Sequence, residues 1–278
     1  IYRVAIVPMS KADEDKLGGA MTKLLEEDPT IRYSRDPATH QDILEGMGDI
    51  HLDTVIEKLK AKFGVSVQTT DARIPYRETV RGTAKAQGRH KRQTGGKGQF
   101  GDCWIELAPL SRGEGFSFDN KVVGGAIPKN FIPAIEKGIR EQMDRGLVAG
   151  YPVVDIRVTV YDGSYHDVDS NEQAFKTAGG IALREAASKA GIAVLEPLLN
   201  VHVDVPDDCV GDVVGDLNTR RGRLGGMEQI APGKTRVLAT VPMSSMSRYA
   251  LDLRSITKGR GRFSQAFSHY EELPHPEQ

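Results

Sequence analysis

The sequence predicts an α+β protein in which two small ferredoxin-like βαββαβ domains flank a larger central α+β domain. Three observations point there. The chain has 278 residues, more than one hydrophobic core usually serves, so two or three domains are expected. Its two ends repeat one order of elements, read from apolar periodicities that switch between about 2 and about 3.6 residues. No low-complexity linker separates the ends from the middle, so the units are expected to pack or hinge closely.

At the first end, residues 2–7 alternate and are rich in β-branched side chains, as a strand does. Ser10 followed by Asp13 is a capping-box-like helix start, and Leu17, Met21, Leu24 and Leu25 supply the apolar stripe. Short strands near 31–35 and 41–45 flank the Asp36-Pro37 turn. Leu52, Val55, Ile56, Leu59 and Phe63 form a second amphipathic helix that Gly64 stops. A last strand at 65–69 completes βαββαβ, the split βαβ arrangement.

The middle has strands near 103–108, 115–122 and 153–161. A helix over about 128–145 opens with Pro128 and carries Phe131, Ile135, Ile139 and Met143. Another, over about 171–190, carries Ala174, Phe175, Ala178, Ile181 and Ala182. The other end then repeats the first: a strand at 198–205, and a helix through Val210, Val213, Val214 and Leu217 ending near Gly222. Strands at 223–230 and 235–241 surround the Pro232-Gly233 turn, and a helix through Met246, Tyr249, Ala250 and Leu253 leads to a strand at 261–270.

At 39% hydrophobic and 27% charged, the composition is that of an ordinary globular protein. Cys103 and Cys209 are far apart, without paired metal-ligand spacing or a disulfide framework, as in a reducing cytosol. No apolar run approaches the ~20 residues that span a bilayer, and residues 1–9 lack a signal-peptide pattern, so a cytoplasmic protein without a membrane partner is expected. The chain opens on Ile1 inside a strand-like segment, which suggests a fragment cut at a domain boundary. A net charge of -1 gives no overall attraction to nucleic acid. Locally the balance differs: Arg81, Lys85, Arg89, Lys91, Arg92 and Lys97 stand in residues 81–101 without one acid.

Inside that strip lies Gln93-Thr94-Gly95-Gly96-Lys97-Gly98-Gln99-Phe100-Gly101. A phosphate-binding P-loop needs Lys-Ser/Thr opening a helix, whereas Lys97 is followed by Gly98 and then strand-like sequence. A basic hairpin loop touching an RNA backbone is the better reading. A second loop, Asp162-Gly163-Ser164-Tyr165-His166-Asp167-Val168-Asp169-Ser170, sits between a strand and a helix. Asp169 or Ser170 caps that helix, with a weak box to Gln173. A metal site there would draw on aspartates and one imidazole, with no second cluster. A Ser164, His166, Asp169 triad would need three neighbours in one loop to line up. Tyr165 and His166 instead suit RNA recognition by stacking and hydrogen bonding. A third cluster, Thr219-Arg220-Arg221-Gly222-Arg223, closes a helix. There the cations complement the macrodipole and suit rRNA phosphates.

These stretches also carry a family resemblance. HKRQTGGKGQFG (90–101), GGAIPKNFIPAIEKGI (124–139), AGYPVVD (149–155), DGSYHDVDS (162–170), LNTRRGRLGGME (217–228) and LRSITKGRGRF (253–263) resemble elongation factor G, in order and at the right separations. GMGDIHLD (46–53) and PYRETVR (75–81) extend the resemblance over essentially the whole chain. It implies the family's third domain at 1–76, its fourth, a ribosomal protein S5 domain 2-like arm, at 77–195, and its fifth at 196–278. The GTPase domain, with its GTP and Mg, would lie upstream, and this chain would hold no cofactor and no catalytic residue. The arm tip would enter the decoding centre beside tRNA and mRNA. Its RNA-binding residues would be Gly95, Gly96, Lys97, Gly98, Gln99, Ser164, Tyr165, His166, Asp167 and Asp169, with His166 at the family's tip histidine. Basic patches would be Arg89, Lys91, Arg92, Arg220, Arg221 and Arg223. Implied partners are the ribosome, with its rRNA, tRNA, mRNA and ribosomal proteins, and the chain's own GTPase domain, in a monomer. Lys97 where arginine is frequent, and Asp102-Cys103-Trp104 after Gly101, bring the chain nearer the bacterial elongation factor G-like paralogues. The expected function is that of a ribosome-binding arm promoting tRNA–mRNA translocation or a related transition. The rival expectation is an autonomous RNA-binding module without a GTPase.

Overall fold

The computed structural model describes residues 2–93 and 95–274. They form two compact units, residues 2–75 with Pro197–His269, and Tyr76–Glu196 with 270–274.

The first unit opens with β1 (Tyr2–Pro8), α1 (Lys11–Glu27), β2 (Arg32–Arg35), β3 (Asp42–Gly46), α2 (Asp49–Phe63) and β4 (Val67–Thr70). The strands pair antiparallel in the order β2-β3-β1-β4. Val4 and Ile6 of β1 meet Leu17, Met21 and Leu24 of α1 and Leu52, Val55 and Leu59 of α2 in one buried cluster. The expected cap is present: Ser10 Oγ accepts from the Asp13 N–H at 3.1 Å. Gly64 ends α2 at φ 63°, a left-handed conformation that glycine adopts without strain.

The second unit contains β5 (Arg77–Val80), β6 (Ala84–Arg92), β7 (Gln99–Pro109), β8 (Phe116–Asn120), α3 (Ile132–Arg145), β9 (Ile156–Ser164) and α4 (Glu172–Ala190). A four-stranded sheet runs β6-β7-β9-β8, with only the β8–β9 pair parallel. Ile105 and Leu107 of β7, Val158 and Val160 of β9, Ile135 and Ile139 of α3, and Phe175 and Ala182 of α4 share its core. α4 lies directly on β6 and β7 because its facing residues are alanines and the strands offer glycines. A Cβ on Gly88 would stand 1.9 Å from the Ala178 carbonyl oxygen, and one on Gly101 2.5 Å from that of Ala174.

Two strands here are not foreshadowed by the sequence pattern, β5 and β6. β5 is only four residues long, and β6 has no β-branched residue and holds Lys85, Arg89, Lys91 and Arg92. β6 is the edge of its sheet, where lysine and arginine block further pairing. The basic strip is therefore largely a strand, not a loop.

Two buried carboxylates anchor the loops of this unit. Glu78, fully buried, accepts the N–H groups of Leu147 and Val148 on Oε2 at 2.8 and 3.0 Å, and those of Ala149 and Tyr151 on Oε1 at 2.9 and 3.0 Å. Asp155 accepts the N–H groups of Gly113 and Gly115 on Oδ1 at 3.0 and 2.9 Å. The AGYPVVD stretch is thus held by backbone donors aimed at buried charge, which such charge requires.

The chain continues in β10 (Ile192–Pro206), α5 (Val210–Thr219), β11 (Arg223–Ala231), β12 (Lys234–Pro242), α6 (Tyr249–Thr257) and β13 (Arg262–Glu272). In the second unit Ile192 to Leu195 pair with β5, and in the first unit residues from Leu198 onward pair with β12. In the first unit Val201, Val203 and Val205 pack under Val213 and Leu217 of α5 and Tyr249 and Leu253 of α6.

Candidate nucleic-acid interface

β6 and β7 form a hairpin in register from Ala84 opposite Leu107 to Arg92 opposite Gln99. Its loop spans 93–98, of which Thr94 lies outside the described residues. Gly95 and Gly96 take φ values of 60° and 155°, which glycine reaches without a Cβ clash. Lys97 is exposed, and Gln99 Oε1 lies 2.8 Å from His90 Nε2 across the hairpin.

β9 delivers the second loop to the same end of the sheet, because Ser164 is the register partner of Asp102. The two loops are then stitched together. Phe100 N–H donates to the Asp169 carbonyl at 2.9 Å, and Ser170 Oγ donates to the Phe100 carbonyl at 2.9 Å. Gly98 lies against the Asp169 carboxylate so closely that a Cβ there would be 2.7 Å from Oδ1. The His166 ring packs at 6.4 Å from the Phe100 ring, and Arg89 places its guanidinium 5.5 Å from the centre of that same Phe100 ring. Tyr165, His166, Asp167 and Val168 remain exposed. Gly98, Gln99, His166 and Asp169 of the expected site are thereby brought together.

Asp169 and Ser170 do not cap α4. Asn171 does, its Oδ1 accepting the Ala174 N–H at 2.8 Å. The reason is tertiary: the backbone of Asp169 and the side chain of Ser170 are engaged by Phe100 of the other loop. Ser164, read as an RNA contact, donates its hydroxyl inward to Asp102 Oδ2 at 2.6 Å.

Asp102 is the residue that sequence reasoning passed over. It is buried, and its Oδ1 accepts Gln87 Nε2 at 2.7 Å, so one carboxylate joins β6, β7 and β9 just below the tip. The only sequence signal was its departure from the family motif. Beside it, Cys103 is fully buried, and burial followed by the Asp102 charge pushes its thiol up to about 12.

On β6, Lys85, Arg89 and Lys91 alternate onto one exposed face, and Arg92 follows. The remaining basic candidates belong to the other unit, at the end of α5. Arg220 is committed internally rather than offered to phosphate. Its Nε donates to Asp216 at 2.8 Å, its Nη1 to the Ser245 carbonyl at 2.7 Å and its Nη2 to Asp252 at 2.5 Å, while its guanidinium lies 4.9 Å over the Tyr249 ring. With 13% of the side chain exposed, it is a clasp between α5 and α6. Arg221 takes φ 61°, and Arg223 is exposed at the start of β11.

No group of three or more His, Cys, Asp or Glu side chains among the described residues is arranged to hold a metal ion. No helix among them is long and apolar enough to cross a membrane.

Residues 1–71 match the family model of elongation factor G, domain III, residues 72–191 that of elongation factor G, domain IV, and residues 193–278 that of the elongation factor G C-terminus. A solved crystal structure of a protein from Thermus thermophilus is 41% identical and superposes with a TM-score of 0.84, over 99% of this chain and 41% of that one. The chain thus spans about two fifths of that relative's length.

Proposed function

We propose, from the premise that this chain belongs to the elongation factor G family and carries the C-terminal portion of such a translation factor, that it is a ribosome-engaging arm. Its task is to promote tRNA–mRNA translocation or a closely related ribosome transition. The observation that carries this reading is the tip itself: two loops from different strands are cross-linked through Phe100, Asp169 and Ser170. His166 and Tyr165 are left exposed above a basic strand. A rigid base with exposed stacking groups and flanking cations suits a structured RNA partner, because cations supply sequence-independent affinity and the projecting side chains supply geometry.

On this reading the chain performs no chemistry. GTP and Mg belong to a GTPase domain of the full-length protein, which also acts as its partner, and the site of action is the cytoplasmic ribosome. Gly95, Gly96, Lys97, Tyr165, His166 and Asp167 face RNA, whereas Ser164 and Asp169 act as supports through their bonds to Asp102 and Phe100. Arg221 and Arg223 serve a second rRNA contact, with Arg220 holding their segment in place. Pelleting of the purified chain with ribosomes at low salt is the test. Co-sedimentation that a free RNA-duplex competitor does not abolish is expected, and a chain that stays in the supernatant at every salt concentration would end the proposal.

A further inference from the structure

The second loop uses nearly every polar atom of His166. Its N–H donates to Ser170 Oγ at 2.9 Å, and its carbonyl accepts the Ser170 N–H at 3.0 Å. Its Nδ1 accepts the N–H groups of Val168 and Asp169, both at 3.3 Å. A backbone N–H can only donate, so a ring nitrogen facing two of them must offer its lone pair and has no place for a proton. Neutral imidazole has a single N–H, and the bond made by one nitrogen decides which nitrogen carries it.

We infer that the loop holds His166 as the Nε2–H tautomer and so presents a hydrogen-bond donor at the tip, suited to an acceptor atom of an RNA strand. The ligand's identity rests on the ribosome reading above; the tautomer does not. The His166 side chain is 56% exposed, and Nε2 has no partner among the described residues. A single group favours the opposite arrangement, the Asp169 carboxylate, whose Oδ2 lies 3.6 Å from Nδ1. That carboxylate is pinned against Gly98, and both backbone N–H groups lie closer to Nδ1 than it does. The acceptors that fit are a 2′-oxygen, a phosphate oxygen or a base ring nitrogen, whereas an exocyclic amine or a base N–H is refused.

The test has two arms. Long-range proton–nitrogen correlation of the imidazole in this chain at neutral pH should show the proton on Nε2 and a bare Nδ1. A proton on Nδ1, or the tautomer mixture of a free histidine, would overturn the inference. Then, in the full-length protein, His166→Gln extends an amide N–H near the Nε2 position, whereas the His166→Asn amide can keep an acceptor near Nδ1 but is too short to place its NH₂ at the Nε2 position. Gln should keep the ribosome transition within about threefold of wild type and Asn should lose about tenfold, a difference of one hydrogen bond. The reverse order would overturn the donor assignment. A bare Nδ1 with both variants at the wild-type rate would sustain the tautomer and remove the RNA contact, and with it the ribosomal role of this tip. Thermal melting of each variant confirms that loops and fold survive.

Discussion

Ser164 and Asp102 are joined by a 2.6 Å hydrogen bond between neighbouring strands, and the same buried carboxylate takes Gln87 from the strand on its other side. The tip loops therefore stand on a three-strand cross-link whose members are far apart in sequence. Asp102→Ala should cost about 2–3 kcal/mol, the range for a hydrogen-bonded charged acceptor whose donors are stranded. Chemical denaturation followed by circular dichroism measures it. A cost near zero would mean that Gln87 and Ser164 satisfy one another or solvent, and that Asp102 is not the keystone.

Glu78 makes a sharper case, since four backbone N–H groups converge on it. Glu78→Gln preserves shape but turns an NH₂ toward backbone donors, so two of the four lose their acceptor. Both Glu78→Gln and Glu78→Ala should destabilise the second unit by about 3 kcal/mol or more. Thermal melting distinguishes this from a space-filling role, in which Gln would be nearly neutral.

Much of this architecture was legible in the sequence wherever local chemistry decides it. Ser10 caps α1 and Gly64 stops α2 because both devices act within a few residues. What failed was decided at long range. β6 looks like a charged loop until β7 pairs with it and Gly88 admits α4. Asn171 takes the cap of α4 because Phe100, seventy residues before Ser170, engages Asp169 and Ser170. Arg220 reads as one of a basic cluster; Asp216 is a local partner four residues before it, but Asp252 and Ser245 meet it only when α5 and α6 pack. At the tip, the motif named the loops, and only the fold separated the residues that face outward from those that support them.

Alkaline pH should weaken the second unit through Cys103. Its thiol is raised from 9.0 to about 12 by burial first and by Asp102 second. A raised pKa means the unfolded chain gives up its proton first, so stability is full below about 9 and declines between about 9 and about 12. At about 1.4 kcal/mol per pH unit the decline is a few kcal/mol. Denaturant midpoints of wild type and Cys103→Ala across that window measure it. The variant, starting lower, should show a flatter alkaline limb, and parallel limbs would refute the assignment.

The basic face of β6 should dominate the salt dependence of the proposed ribosome binding. Lys91 and Lys97 are exposed beside the tip, and Arg89 is exposed over Phe100. Neutralising Arg89, Lys91, Arg92 and Lys97 to glutamine should weaken binding and flatten the log–log salt slope by roughly 0.7–0.9 for each phosphate that no longer meets a cation. Co-sedimentation across a salt series reads the slope. An unchanged slope would make the strip solvated surface. Arg220→Gln, by contrast, should lower stability more than it changes that slope, because its guanidinium is already bonded to Asp216 and Asp252.

On the ribosomal role proposed above, His166→Ala in the full-length protein should slow the ribosome transition far more than it lowers affinity or GTP hydrolysis. The backbone of His166 is tied to Ser170 and its Nδ1 to the N–H groups of Val168 and Asp169, so the ring is held in place before any partner arrives. Held rigidly, one imidazole contributes one contact to a large polar interface whose affinity is set mainly by phosphate contacts elsewhere. Ground-state binding should therefore change by less than about threefold, the weight of a single exposed hydrogen bond. A contact strengthened only as the RNA moves past the tip lowers the barrier, and its loss appears in the rate, by about tenfold or more. Rapid-mixing kinetics of the transition, with binding and GTP turnover measured on the same protein, separate the two. Thermal melting of this chain carries the control: alanine strands only the N–H groups of Val168, which is exposed, and Asp169, which is half-buried, so the melting temperature should change little. A rate that falls only in step with melting temperature would make His166 a loop-stabilising residue. Unchanged rate and unchanged melting would mean that this tip works without it.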